Sequence, residues 1–385
     1  MKNIKRLLKI DLPQHQSAFL WGARKTGKTT YLRQFYQASQ VYNFLDTDLF
    51  FEVSKTPSLL RQRILALDPA WLRRPIILDE VQKVPAVMDE VHYLIEEKGL
   101  RFILCGSSAR QLKRRHANLL GGRAWRFEMF PFTAGELADF DLLRALRHGL
   151  IPSHYLQDDP SMSLRAYVMD YLKEEVFSEG LVRNMPAFSR FFDAMGYSHG
   201  EMVNFANIAR DCGVDAKTVR EYYQILVDTL LGRFVEPFKR QQDRGVITRA
   251  AKFYLFDVGV AGAVMKRHIP EAKGEVFGRA FEHFIFMELA AYRGYAQKDY
   301  EINYWRTKSG QEVDFILAGG EVAVEVKGAA RVDSADTRGI RAFMDQYKPR
   351  RAIIVCHERS RRIADGLSIM PWQEFLQELW AGKVV

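Results

Sequence analysis

The eight residues Gly22-Ala23-Arg24-Lys25-Thr26-Gly27-Lys28-Thr29 constrain this chain more than any other stretch. They fit G-x-x-x-x-G-K-[ST], a glycine-bearing loop whose backbone N–H groups cradle phosphate. Residues 18–21 before the loop are short and apolar, as a buried parallel strand requires, and residues 30–37 after it read as a helix. A strand, a loop and a helix N-terminus make an anion site, because oriented N–H groups and the helix dipole both favour negative charge. Gly22 and Gly27 allow the backbone to wrap closely. A surface turn rich in glycine and lysine is the plainer reading, and the flanking strand and helix argue against it.

In such a loop Lys28 reaches the β- and γ-phosphates of ATP and Thr29 ligates Mg2+, with Thr30 opening the helix. Further apolar strands at 41–46, 75–81, 101–106 and 125–129 alternate with helical segments. That alternation argues for an α/β fold, a parallel sheet covered on both faces. The third strand runs into Asp79-Glu80, which places two carboxylates at the carboxyl edge of the sheet, where ligands bind in such folds. Asp79 is the expected acid on the Mg2+ side and Glu80 the base that polarises the attacking water. Solvated acids at a strand end are the alternative. Ser107, at the next strand end, fits between Glu80 and the γ-phosphate, while Ser108 fits a helix N-cap; the two readings are compatible. Arg123 follows Gly121-Gly122 and suits an arginine finger supplied in trans, or equally an ordinary surface arginine.

Four stretches carry a wider resemblance: the phosphate loop with Thr30; Ile76-Ile77-Leu78-Asp79-Glu80-Val81-Gln82-Lys83-Val84-Pro85; Cys105-Gly106-Ser107-Ser108-Ala109; and Gly121-Gly122-Arg123 followed by Pro131-Phe132-Thr133-Ala134-Gly135-Glu136-Leu137. Together they resemble the AAA-type ATPases of prokaryotes that carry a C-terminal domain of unknown function, DUF4143. The resemblance spans nearly the whole chain. It implies an AAA+-like core at residues 1–140, ATP and Mg2+ as cofactors, and a tie to DNA. It also implies a homo-oligomer, with a hexameric ring among the forms open to it. It supplies no settled substrate.

Residues 141–148 and 163–178 read as helices of a lid or connector covering 141–187. An apolar helix at 188–195 ends at Gly196. Residues 203–213 and 214–227 then give a helix, a glycine turn and a second helix at helix-turn-helix spacing, with Asp215 as N-cap. The second helix offers Lys217, Thr218, Arg220 and Gln224 on its exposed face. Strands at 230–237 and 252–256 fit a wing, joined by a linker with Lys239, Arg240, Arg244 and Arg249. This is a winged-helix unit over 188–260, suited to backbone contacts with DNA or to protein packing alone.

In residues 261–385, a long apolar helix at 278–292 precedes strands at 303–306, 311–317 and 321–327, with a tight turn at Ala318-Gly319-Gly320. Strand period two projects Glu325 and Lys327 together. Asp314, between Val313 and Phe315, is an odd place for an unpaired carboxylate. An acid in one strand, a Glu-x-Lys in the next and an upstream helical glutamate resemble the PD-(D/E)xK nuclease core. That resemblance implies that Asp314, Glu325 and the Val326 carbonyl hold Mg2+, that Lys327 positions or activates water, and that Glu282 supplements the metal site. Val313 stands where the name-giving proline would be. Helix 337–346 and strand 352–355 complete an α/β/α layer. An amphipathic hairpin with a solvated Glu/Lys pair is the alternative.

A chain of 385 residues with a net charge of +9 makes two or three domains and favours an anionic partner, nucleic acid first. No apolar run approaches the ~20 residues of a membrane span. The basic, amphipathic start lacks the apolar core of a signal peptide. Three widely separated cysteines suggest reduced thiols in the cytoplasm, without zinc spacing. The expected function is a DNA-acting ATPase that binds, moves along or remodels duplex or branched DNA. The alternatives are an ATP-regulated, Mg2+-dependent nuclease and a nucleotide-controlled assembly switch without DNA chemistry.

Overall fold

The computed structural model describes residues 4–108, 120–171, 184–240 and 250–385. The chain divides into two compact units, one of Arg6–Pro131 with Asp228–Leu231, the other mainly of Phe132–Val227 and Gly232–Val385.

The first unit is built on strands β1 (Ser17–Trp21), β2 (Val41–Asn43), β3 (Ile76–Asp79), β4 (Phe102–Gly106) and β5 (Ala124–Glu128). They lie in the order β2-β3-β4-β1-β5, and every pairing is parallel. β1, β3 and β4 are buried along their whole length, which explains their continuous apolar runs. β4 separates β1 from β3. In register, Trp21 lies beside Gly106 and Cys105 beside Asp79, so the three carboxyl ends finish together. The strand expected at 41–46 stops at Asn43, because Asp46 turns to cap the helix Thr47–Lys55, accepting from the N–H groups of Asp48 and Leu49 at 3.0 and 3.2 Å.

The second unit carries an eight-stranded mixed sheet in the order β12-β13-β11-β10-β9-β8-β6-β7. Its strands are β6 (Gly232–Pro237), β7 (Lys252–Leu255), β8 (Ile302–Arg306), β9 (Glu312–Leu317), β10 (Val322–Val326), β11 (Arg351–Cys356), β12 (Arg362–Ala364) and β13 (Leu367–Pro371). β6 and β7 do form an antiparallel hairpin, yet β6 also pairs in parallel with β8, so one sheet runs across residue 260. β12, β13 and the helix Trp372–Trp380 extend the layer beyond what periodicity indicated.

The helix pair is present as Phe205–Cys212 and Ala216–Asp228. Gly213, at φ 66°, makes the turn, and Asp215 Oδ1 accepts from Thr218 N at 2.7 Å. Tyr223 packs its ring against Phe234 and Phe253 of the hairpin, at centroid distances of 5.4 and 4.7 Å. The helix expected at 163–178 is α-helical over Ser161–Ala166 and π-helical over Tyr167–Tyr171; the remainder lies outside the described residues.

The long helix Gly274–Tyr295 is buried at Phe277, Phe281, Phe284 and Ile285. Its Glu288 accepts from Ala134 N at 2.7 Å and from Trp380 Nε1 at 2.8 Å. The run from Pro131 to Leu137 therefore has a structural task, with Thr133 and Glu136 forming a capping box. Among the described residues, no helix is long and apolar enough to cross a membrane.

Candidate functional site

The phosphate loop is braced from inside. A Cβ on Gly22 would lie 2.5 Å from the Met129 carbonyl oxygen, so only glycine fits. Gly27 takes φ 99° at the head of the helix Lys28–Phe35. Thr26 Oγ1 donates to the Ala23 carbonyl at 2.8 Å, and buried Lys28 Nζ donates to the carbonyls of Gly22 and Ala23 at 2.6 and 3.1 Å. Arg24 and Lys25 form the outer part of the loop, Lys25 in the left-handed region at φ 63°. Thr29 and Thr30 are exposed.

Thr29 Oγ1 donates to Asp79 Oδ2 at 2.9 Å. Glu80 follows with φ 57°, a left-handed conformation that costs a side chain about 1 kcal/mol. Its carboxylate accepts from Gln82 Nε2 at 2.5 Å, and the same amide donates to Ser107 Oγ at 3.1 Å. Gln82 thus joins the end of β3 to the end of β4. A Cβ on Gly106 would sit 2.2 Å from Gln82 Oε1, so that glycine makes room for the amide. Ser108 donates to the Asp228 carbonyl at 3.4 Å; the helix it was expected to cap lies outside the described residues.

Two features of this unit were not apparent from the motifs. Gln82 is one. The other is Arg6, 5% exposed, which donates to the Thr26 carbonyl at 2.7 Å and to the carbonyls of Phe130 and Pro131 at 2.7 and 3.1 Å. It ties the loop to the segment after β5. Arg123 is partly exposed and ion-paired with Glu96 of the same chain. The Thr29–Asp79 oxygen pair is a donor set that suits Mg2+, and Lys28 with the loop N–H groups suits a polyphosphate. The residues therefore fit ATP with Mg2+.

In the second unit, Asp314 and Glu325 face each other across β9 and β10, 8% and 6% exposed. Asp314 Oδ2 accepts from Val326 N at 2.8 Å, and Glu325 Oε2 accepts from Asp314 N at 3.3 Å. Lys327 Nζ lies 2.7 Å from Glu325 Oε1. Glu325 is buried while the Lys327 side chain is 30% exposed, so the pair is only partly solvated. Burial pushes the Glu325 carboxyl up to about 6, against the pull of Lys327. Burial and the Glu325 charge drive Asp314 well above the usual carboxylate range. For Lys327, burial opposes the charge, but Glu325 and Asp314 outweigh it and raise the ammonium above its ordinary value. Lys327 is a cation at neutral pH rather than a proton acceptor.

Glu282 is near enough for its charge to act on Asp314 and Glu325, but its own contacts are with β7. It accepts from Tyr254 OH at 2.5 Å and lies 3.5 Å from Lys252 Nζ, both residues of β7. Among the described residues, no three His, Cys, Asp or Glu side chains converge as a metal-binding group. The expected Mg2+ set of Glu282, Asp314 and Glu325 is not assembled. The physical reason is charge: buried carboxylates need partners, and a lysine from a strand assigned to the neighbouring winged-helix segment supplies one.

On the second helix of the helix-turn-helix pair, Lys217, Arg220 and Gln224 are exposed at i, i+3 and i+7, and Thr218 is half-buried. The Arg220 guanidinium lies 4.9 Å from the Phe205 ring centroid, and that of Arg240 lies 5.4 Å from the Tyr347 ring centroid. Arg244 and Arg249 lie outside the described residues.

Residues 14–138 match the family model of an AAA domain, residues 139–270 a domain of unknown function, DUF8612, and residues 277–375 the domain of unknown function DUF4143. The chain is 25% identical over 372 residues to the uncharacterized proteins Mb2031c of Mycobacterium bovis and Rv2008c of Mycobacterium tuberculosis, covering 93% of this chain and 80% of each relative. Among solved structures, the Aeropyrum pernix ORC1 protein in complex with DNA matches at 14% identity, over 66% of this chain and 87% of that one, with a TM-score of 0.29. The chain thus joins an AAA-family P-loop domain to a C-terminal DUF4143 domain.

Proposed function

We propose that this protein is an ATPase that hydrolyses ATP in the first unit and couples hydrolysis to binding, moving along or remodelling duplex or branched DNA. The observation that carries hydrolysis is the contact of Glu80 with Gln82, and of Gln82 with Ser107, beside the Thr29–Asp79 pair. A carboxylate held at a strand end next to a metal-suited oxygen pair can orient water and accept its proton. Gln82 aims Glu80, and Ser107 links that base to β4. Lys28 and the loop N–H groups hold the phosphates, Thr29 and Asp79 hold Mg2+, and Mg2+ supplies charge neutralisation on the polyphosphate. Action in trans by Arg123 on a second subunit's ATP, within a homo-oligomer, requires its release from Glu96.

The DNA part rests on charge and shape. The net charge is +9, and Lys217, Arg220 and Gln224 share one exposed helical face. That face suits phosphate contact better than base reading, because it offers few bidentate readers. The test is ATP turnover with single-stranded, blunt duplex, forked and junction DNA, beside Lys28→Ala and a Lys217→Ala/Arg220→Ala double variant. The expected result is turnover stimulated by at least one DNA form, abolished in the first variant, and stimulated less in the second at moderate salt. Turnover indifferent to every DNA form sinks the DNA reading; turnover equal in Lys28→Ala sinks the ATPase reading.

A further inference from the structure

The acidic centre of the second unit contains a cation of its own. Lys252 opens β7 and is 3% exposed. Its Nζ lies 2.5 Å from Glu312 Oε1 and 3.5 Å from Glu282 Oε1, and 5.4 Å from the Tyr304 ring centroid. Tyr254, on the same face of β7, donates its hydroxyl to Glu282. The other Glu312 oxygen lies 2.9 Å from Arg306 Nη1. Lys327 is paired with Glu325, and the Val326 N–H with Asp314. Each carboxylate that a nuclease-like centre would turn toward a divalent ion thus has a partner from the chain itself.

The same contacts hold the fold together. β6 meets β8 through only two residue pairs, Glu236 with Asn303 and Pro237 with Tyr304. That is a short ladder for a hairpin that carries the packing surface of the helix-turn-helix pair. Lys252 and Tyr254 reach past it, to β9 through Glu312 and to the long helix through Glu282. A buried cation shared by two acids is costly to unpair, so this clamp fixes where the hairpin sits.

We propose that Lys252 fills the cation position of this centre, making it a metal-independent clamp of the β6–β7 hairpin on the C-terminal sheet rather than a divalent-metal site. A Mg2+ ion at Glu282 would have to displace the ammonium toward Glu312, its other partner, and sit beside a buried positive charge. The inference does not depend on ATP hydrolysis in the first unit.

Mn2+ binding to the full chain without nucleotide tests it, measured by equilibrium dialysis or electron paramagnetic resonance. The samples are the unaltered protein, Asp314→Asn, Lys252→Ala, and the double variant Lys252→Ala/Asp314→Asn. The phosphate loop is common to all four, so its contribution cancels. The expected result is equal Mn2+ uptake by the unaltered protein and Asp314→Asn, and one further ion bound by Lys252→Ala that the double variant loses. Lys252→Met keeps the aliphatic stem and replaces Lys252→Ala if circular dichroism shows the latter unfolded. Loss of a bound Mn2+ on Asp314→Asn alone overturns the proposal. So does a folded Lys252 variant that binds no more Mn2+ than the unaltered protein.

Discussion

Thr29 and Asp79 stand on different elements, the helix after β1 and the end of β3, yet their side chains meet at 2.9 Å. β4 lies between those two strands, so the contact needs all three carboxyl ends to be level, as the register makes them. The pair supplies one hydroxyl and one carboxylate to a hard cation. Thr29→Ala is expected to reduce Mg2+-dependent ATP turnover about 10–100-fold, and Asp79→Asn at least as much. A Mg2+ titration of turnover checks it: the requirement for Mg2+ should move to higher concentration in both variants.

Gln82 is expected to matter for turnover more than for binding. Its amide touches Glu80 and Ser107 and none of the loop residues that would hold phosphate. Gln82→Ala should lower kcat about 10-fold or more while leaving the ATP Kd within about 2-fold. Gly106→Ala should act in the same direction, because its new methyl would land 2.2 Å from Gln82 Oε1 and push the amide off Glu80. Steady-state kinetics with calorimetric Kd values separate the two effects. A rise in Kd with unchanged kcat would place Gln82 in binding instead.

The Thr29–Asp79 and Glu80 positions were legible because an apolar run that stops at two acids has one reading beside a phosphate loop. Gln82 was not, since its value comes from Ser107, just past the end of β4 and 25 residues away in sequence. The helix-turn-helix was legible from Gly213 and the Asp215 cap, which are local signals. The placement of β6 and β7 was not: pairing with β8 is a contact across 67 residues that no local pattern encodes. Separation along the chain likewise hid Lys252 between Glu282 and Glu312, and so the acid set read from Asp314, Glu325 and Glu282 lacked the cation beside it.

Arg6 predicts a link between the start of the chain and the loop. Its guanidinium satisfies three carbonyls, of Thr26, Phe130 and Pro131, in a buried place. Arg6→Ala removes those three hydrogen bonds and should cost about 1–3 kcal/mol of stability in the first unit. ATP affinity should fall with it, since the Thr26 carbonyl belongs to the loop. Arg6→Lys should recover part of both, as a single ammonium cannot serve all three acceptors. Chemical denaturation and ATP calorimetry on the three proteins give the comparison.

Glu288 carries the clearest pH dependence outside both sites. Burial pushes its carboxyl up to about 7, although hydrogen bonds from Ala134 N and Trp380 Nε1 favour the ionised form. The folded pKa is above the ordinary value of 4.5, so between pH 4.5 and about 7 the folded state keeps a proton that the unfolded chain has released. Stability from this group is therefore present at the acid end and lost as pH rises through about 7, with a span on the order of 3 kcal/mol. Buried His199 and His283 run the other way: burial pulls both below their ordinary value, so their cost appears as pH falls below 6.5. The total slope mixes these signs, and the difference between the unaltered protein and Glu288→Gln isolates one. That difference, measured by denaturation at pH 5, 6, 7 and 8, should shift in favour of the glutamine variant as pH rises. A difference that stays flat across those four pH values would mean that Glu288 is ionised throughout, its two N–H donors having outweighed burial.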